Sequence, residues 1–355
     1  MYSFMNDYSE GAHPRILELL LKSNLEQNIG YGLDTHTEKS KEYIKRLIDN
    51  DNADIHYIPG GTLTNLLVVS AFLRPHQCVI SADTGHINVH ETGAIEATGH
   101  KVAVAPAVDG KLTPESIQSI LDYHCDEHMV QPKMVYISNA TELGTIYTRK
   151  ELKEIRKICT KNGLILFLDG ARLGSALTAA PNDLTMADIC QLTDVFYIGG
   201  TKNGALLGEA LIISNEKLKA DFRYLIKQRG ALLAKGFIMG IQFEGLFQDN
   251  LFFELASHAN SMSGKIATIL ERCGYSFYMP PCTNQLFPII PNDLLGELSK
   301  SFLYSIQSSI DKDKSIIRIV TSWATTQKSV DSLTDFFLNH SIKTDMDIRN
   351  VGGRG

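Results

Sequence analysis

The chain predicts an α/β protein: a large domain with a mostly parallel sheet, then a small C-terminal α+β domain. Three observations carry this expectation. From about residue 52, short β-rich runs alternate with longer helical stretches, the pattern of layered α/β units. The strand candidates are continuously apolar rather than alternating, which suits a sheet covered on both faces. At 355 residues the chain is too long for one ordinary core, and a boundary near residue 245 divides it into 1–245 and 246–355.

In chain order, the strand candidates are Gln77 to Ala82, Lys101 to Val104, Lys133 to Ser138, Leu164 to Asp169, Val195 to Gly199 and Ala210 to Ser214. Between them lie helical stretches at Leu63 to Leu73, after Thr113-Pro114, and at Thr148 to Asn162. In the last of these, T-R-K-E offers an N-cap and Gly163 a stop. A long helical pattern from about Ile238 to Cys273 leads into F-P-I-I and I-I-R-I-V segments flanking another helix. The final N-V-G-G-R-G is expected to fray.

Composition narrows the function. With 44% hydrophobic and 21% charged residues, the chain should fold around a sizeable core. A net charge of -6 and the lack of a Lys/Arg run argue against nucleic acid. No window reaches the roughly 18 apolar residues of a membrane span. The first residues, M-Y-S-F-M-N-D-Y-S-E-G-A-H-P, lack a basic stretch before an apolar core, so a cytoplasmic protein is expected. Six scattered cysteines without a C-x-x-C pair disfavour a zinc site and a disulfide framework, and read as small buried side chains. No cluster predicts a metal.

Three local features carry chemistry. The apolar strand in F-Y-I-G-G-T-K-N-G runs straight into a Gly-rich turn bearing Lys202. L-F-L-D-G-A-R puts Asp169 just past a strand and Arg172 three residues later, at the edge where a sheet binds ligands. Lys202 follows Asp169 by 33 residues (202 − 169), enough for one helix and one returning strand, so both can reach one rim. Y-I-P-G-G-T-L-T-N-L is a Gly-Gly turn entering a helix, whose free N–H groups and positive dipole end suit a phosphate. Each is weak alone: the lysine could belong to a surface loop, Asp169 could be a helix cap, and the glycines a plain turn. Together they are the parts a pyridoxal phosphate site needs: an acid for the pyridine nitrogen, a lysine for the aldehyde and a phosphate cradle. His86, in A-D-T-G-H-I-N, follows a strand and could lie flat against the ring.

These ordered motifs resemble the threonine aldolase family, β-hydroxy amino acid aldolases among the fold-type I pyridoxal-phosphate enzymes, most closely its phenylserine aldolase branch. The likeness runs from Asn6-Asp7 through Y-G-L-D at Tyr31 to Asp34 and on to I-R-I-V-T-S-W-A-T-T at Ile317 to Thr326. It implies an aminotransferase-like large domain and Lys202 as the Schiff-base lysine. It further implies Asp169 on the pyridine nitrogen, Arg172 near the ring oxygen and substrate carboxylate, Gly61 and Thr62 at the phosphate, and His86 stacked on the ring. Arg318 matches the arginine that grips the substrate carboxylate, a task suited to a guanidinium fork. Asn6 stands where the family usually has serine and is assigned to the substrate side.

The chain departs from the commoner pattern in two further places. Glu142, in T-E-L-G, replaces a second histidine, and G-A-L-L-A-K replaces G-G-G-M-R-Q, so that Lys235, with Lys227, is a candidate for phosphate-binding charge across a dimer interface. The implied reaction is cleavage of a β-hydroxy-α-amino acid to glycine and an aldehyde, with His86 or Glu142 as base, in a homodimer or homotetramer. Two other readings stand beside it: β-elimination on the same cofactor, and a non-catalytic or nucleotide-binding protein on the same scaffold. Absence of G-x-G-x-x-G and of a Walker lysine counts against nucleotide.

Overall fold

The structure, a computed structural model, describes residues 1–342; the expected fraying of N-V-G-G-R-G falls outside them. Seven strands form the main sheet in the order Asp54–Ile58, Glu209–Ile213, Val195–Gly199, Ile165–Asp169, Gln131–Ser138, Gln77–Ala82, Val102–Ala105. All neighbours are parallel except around Glu209–Ile213, which is antiparallel to the strands on both sides. Only residues 200–208 join it to Val195–Gly199, too few for a helical crossover, so the chain must turn back. Asp54–Ile58 was not expected from D-I-H-Y-I. It is an edge strand, and its Asp54 and His56 side chains sit at partly exposed positions.

The sheet is buried on both faces, as its unbroken apolar strands predict. Leu166, Leu168, Phe196, Ile198 and Ile212 enter one core, and Phe167, Val195, Tyr197, Leu211 and Ile213 the other, the two-residue alternation of a pleated strand. The T-R-K-E signal holds in detail. Thr148 Oγ1 accepts from Glu151 N–H at 3.3 Å, and Glu151 Oε2 accepts from Thr148 N–H at 2.7 Å, starting the helix Arg149–Asn162. Gly163 ends it at φ 60°.

The expected long helix is two, Phe237–Phe247 and Leu251–Arg272, broken where Asn250 takes φ 64°. Beyond it, Lys314–Val320 pairs antiparallel with Gln285–Leu286, Ile289–Pro291 and Ser305–Ser309. Within the F-P-I-I segment only Ile289 and Ile290 are in a strand, and Phe287-Pro288 separates that strand from Gln285–Leu286. The chain start joins this C-terminal sheet region. Tyr2–Ser3 pairs with Phe302–Leu303, Phe4 enters the same core, and Phe4 O accepts from Val320 N–H at 2.8 Å. Of the cysteines expected to be buried, Cys125 is exposed and Cys282 partly so. No helix among the described residues is long and apolar enough to cross a membrane.

Phe167 is fully buried at the centre of Ile165–Asp169. Phe167→Ala should cost about 3–5 kcal/mol, read as a lowered urea midpoint of the cofactor-free protein; a shift below about 1 kcal/mol would contradict this account of the core.

Candidate active site

Two turns at the C-terminal edge of the sheet make the site. Ile165–Asp169 and Val195–Gly199 are parallel neighbours, so D-G-A-R and G-G-T-K leave from the same rim. Gly199 N–H donates to Gly170 O at 3.0 Å. A Cβ on Gly170 would lie 1.8 Å from Tyr197 O, and one on Gly199 2.5 Å from Ala171 O, so any side chain at either position would force the turns apart. Glu209, buried at the start of the returning strand, fixes the residues before Lys202. Its Oε1 accepts from the Thr201 hydroxyl at 2.9 Å and its Oε2 from Gly200 N–H at 3.2 Å. Burial pushes Glu209 up to about 8, against the pull of Thr201 and of the Lys202 charge.

Asp169 is buried and well supported. Oδ2 accepts from the Tyr136 hydroxyl at 2.5 Å and Asn65 Nδ2 at 3.2 Å, and Oδ1 from Ala171 N–H at 2.9 Å. Burial opposes its charge, but His86 and these donors hold its pKa below the ordinary carboxylate value. His86 begins the short helix His86–Val89, and its Nδ1 donates to Glu91 Oε1 at 2.7 Å. Asn65 Nδ2 donates to the same oxygen at 2.7 Å. Burial works against the imidazolium, yet Glu91 and Asp169 raise its pKa overall.

Lys202 and Arg172 line one small cavity with Asp7, Asn203 and Asn284. Burial and then the Arg172 charge lower the Lys202 pKa, against Asp7, Asp169 and Glu209, which favours the neutral amine that attacks a carbonyl. Arg172 is clamped by Asp7: Nε donates to Oδ2 at 2.7 Å and Nη2 to Oδ1 at 3.0 Å, while Asn284 Nδ2 donates to Asp7 Oδ2 at 2.9 Å. Arg318, on Lys314–Val320, donates from Nη2 to Met5 O at 3.3 Å, and its Nε is buried without a hydrogen-bond partner among the described residues.

The other expected residues fall into place unevenly. Gly61 starts the helix Gly61–Phe72, with Thr62 in its first turn; no side chain caps it, and a Cβ on Gly60 would meet open space. Tyr197 Oη would lie 3.2 Å from a Cβ on Gly61 and also hydrogen-bonds Asp169, so the helix start and the acid share a wall. Glu142 Oε1 accepts from His86 N–H at 3.1 Å and the Ser138 hydroxyl at 2.8 Å. Burial, then Asp169, raises its pKa. Asn6 turns its Oδ1 to Tyr8 N–H and the Ser9 hydroxyl, and it is the next residue, Asp7, that reaches Arg172. Lys235 is exposed on the turn before Phe237–Phe247, and Lys227 lies 4.6 Å from the Tyr31 ring centroid; among the described residues no hydrogen bond or ion pair joins either to Lys202 or Asp169.

A phosphorylated pyridine aldehyde fits these residues. Uncapped amides face open space, a buried ionised carboxylate and a deprotonation-prone lysine share one rim, and an arginine nitrogen lacks an acceptor. Asp7, Asn65, Glu91, Tyr136, Glu209 and Asn284 were not assigned from sequence. Asp7 is adjacent to Asn6 in the same motif, Asn65 lies in Y-I-P-G-G-T-L-T-N-L and Tyr136 in the strand candidate Lys133 to Ser138; Glu91, Glu209 and Asn284 lie in no local pattern. Among the described residues no group of His, Cys, Asp or Glu could hold a metal ion.

Comparisons with known proteins give the family and the fold that this chain shares. A family model described as Beta-eliminating lyase matches residues 14–291. A low specificity L-threonine aldolase of a Pseudomonas species is 31% identical over 341 residues, covering 93% of this chain and 95% of that protein. A solved threonine aldolase of Leishmania major superposes at a TM-score of 0.95 with 51% identity, covering 96% of this chain and 100% of the other. A mutant aspartate aminotransferase of Thermus thermophilus shares the fold at a TM-score of 0.72 with 11% identity, covering 96% and 91%.

Glu209 gives a pH signature. Its folded value of about 8 stands above the ordinary glutamate value of about 4.3, so its contribution to stability is full below about 4.3 and is lost as pH rises through 8. Glu209→Gln should therefore flatten the decline in melting temperature between about pH 5 and pH 8.5. An unaltered slope would show that Glu209 titrates normally.

Proposed function

The chain belongs to the β-eliminating lyase family, and from that premise we propose that it cleaves a β-hydroxy-α-amino acid to glycine and an aldehyde. It is a lyase with a fold-type I architecture, and pyridoxal phosphate is its cofactor. The observation that carries the aldolase reading is that Lys202 and Asp169 leave one rim of the main sheet, while Arg318, on the C-terminal strand Lys314–Val320, meets Met5 two residues from the Asp7 that holds Arg172, with its Nε unengaged. The threonine aldolase relatives support it.

Lys202 would hold the cofactor's aldehyde through Nζ, and Asp169, whose charge His86 and Tyr136 favour, would pair with the pyridine nitrogen. His86 would lie against the ring, and the Gly61 and Thr62 amides would hold the phosphate. When bound, the cofactor supplies an electron sink for a bond at the amino-acid α-carbon. Arg318 grips the substrate carboxylate, with Arg172 beside it, and so decides which α-carbon bond stands where it can break. Because Asp7 already neutralises Arg172, Arg318 is the guanidinium with a nitrogen to spare. The substrates in view are threonine, allo-threonine and phenylserine, and the phenylserine-like segments around His86 and Glu142 support an aromatic preference.

Leu17, Leu21, Leu25, Ile29 and Leu33 are exposed along one N-terminal stretch. A run of that kind supports a subunit contact, and with it a homodimer or homotetramer in which Lys235 reaches a neighbouring phosphate. Six scattered cysteines without a C-x-x-C pair support a reducing, cytoplasmic setting.

Lys202→Ala should abolish aldehyde release from all three substrates and remove the visible absorption band that borohydride bleaches; undiminished release would refute the lysine's role. Arg318→Ala should lower kcat/KM about 10- to 100-fold, the equivalent of about 1.5–3 kcal/mol for hydrogen bonds to a charge. Product analysis separates this reaction from β-elimination: glycine with aldehyde supports it, and pyruvate with ammonia overturns it.

A further inference from the structure

We propose that His90 is the base that takes the substrate's β-hydroxyl proton; this rests on the aldolase reading above. His90 closes the short helix His86–Val89, with its N–H donating to His86 O at 2.9 Å. Its ring centroid lies 5.5 Å from that of His86, with the planes at 55°. The side chain is exposed, and among the described residues no hydrogen bond or ion pair engages it, so both ring nitrogens are open to a substrate and to water.

The two groups expected from sequence are less suited. His86 spends Nδ1 on Glu91, and that carboxylate together with Asp169 favours the imidazolium, which has no lone pair to offer. Glu142 Oε1 already accepts from His86 N–H and the Ser138 hydroxyl, and burial with the Asp169 charge holds its proton more tightly. His90 is surrounded differently. The charged groups facing it are His86 on its own element, Arg318 on Lys314–Val320, Lys202 after Val195–Gly199, and Arg172 after Ile165–Asp169. All four are cationic or can become so, and Glu91, the next residue along the chain, is engaged by His86 and Asn65. Partial burial and then these charges lower its pKa, so at neutral pH the ring is the free base.

The step balances within the substrate and the ring. The β O–H bond breaks and its proton goes to an imidazole nitrogen. The O–H electron pair becomes the second carbon–oxygen bond of the aldehyde, while the Cα–Cβ pair stays with the carbon that becomes glycine. Its exposed face then passes the proton to water.

The experiment uses the holoenzyme with His90→Phe and His90→Gln and reads two rates. One is aldehyde release from a β-hydroxy amino acid. The other is exchange of the glycine α-proton in heavy water, followed by NMR, which needs the cofactor, Lys202 and Arg318 but no hydroxyl base. Both variants should lose about 10²- to 10⁴-fold in aldehyde release while exchange and KM stay within a few-fold. The acidic limb of the wild-type kcat profile should vanish, and the His90 ring of the cofactor-free protein should titrate below its ordinary value of about 6.5. Equal loss of both rates would mean a structural role, and unchanged release would leave the proton to another acceptor; either overturns the proposal, as does a ring titrating above about 6.5. Failure of the aldolase reading is distinguishable, because wild-type enzyme would then exchange glycine yet release no aldehyde.

Discussion

The site depends on one close approach, Gly170 against Gly199 at the ends of adjacent parallel strands. With a Cβ on Gly170 only 1.8 Å from Tyr197 O, no other residue leaves the two turns in contact. That contact brings an acid and an amine, 33 residues apart in the chain (202 − 169), to one rim of the sheet. The adjoining antiparallel strand adds Glu209, whose carboxylate ties down the turn before Lys202. The lysine is therefore presented by a braced backbone, which matters because a catalytic group displaced by an ångström loses much of its effect.

Charge is then distributed by pairing. Asp7 takes Arg172, Glu91 takes His86, and Tyr136 with Asn65 supports Asp169. Each pairing offsets the desolvation that an isolated buried ion would suffer. Among the groups that no described residue engages, three bear on function: the Arg318 Nε, the open helix start at Gly61, and the His90 ring. A protein that satisfied these internally would have nothing left with which to hold a carboxylate, a phosphate or a migrating proton.

The C-terminal sheet takes part because the chain start is woven into it. Tyr2–Ser3 and Phe4 anchor there, and residues 5–7 then pass between Arg318 and Arg172, with Met5 O meeting one and Asp7 the other. A few N-terminal residues thus tie Arg318 and Arg172, from two different sheets, to one short stretch of chain.

The sequence by itself determined the sheet and the parts of the site written in local motifs. Continuous apolar runs ending in D-G-A-R and G-G-T-K placed Asp169, Arg172 and Lys202, because a strand that stops at a glycine turn must present the next polar residue at the sheet edge. The break at Asn250, the edge strand Asp54–Ile58 and the choice of Asp7 over Asn6 were decided by tertiary structure. So were Asn65, Glu91, Glu209 and Asn284. The Asp7–Arg172 pair spans 165 positions and Asn284–Asp7 spans 277, and no local periodicity encodes which buried charge will need a partner from so far away. That need arises only once folding has removed both groups from water.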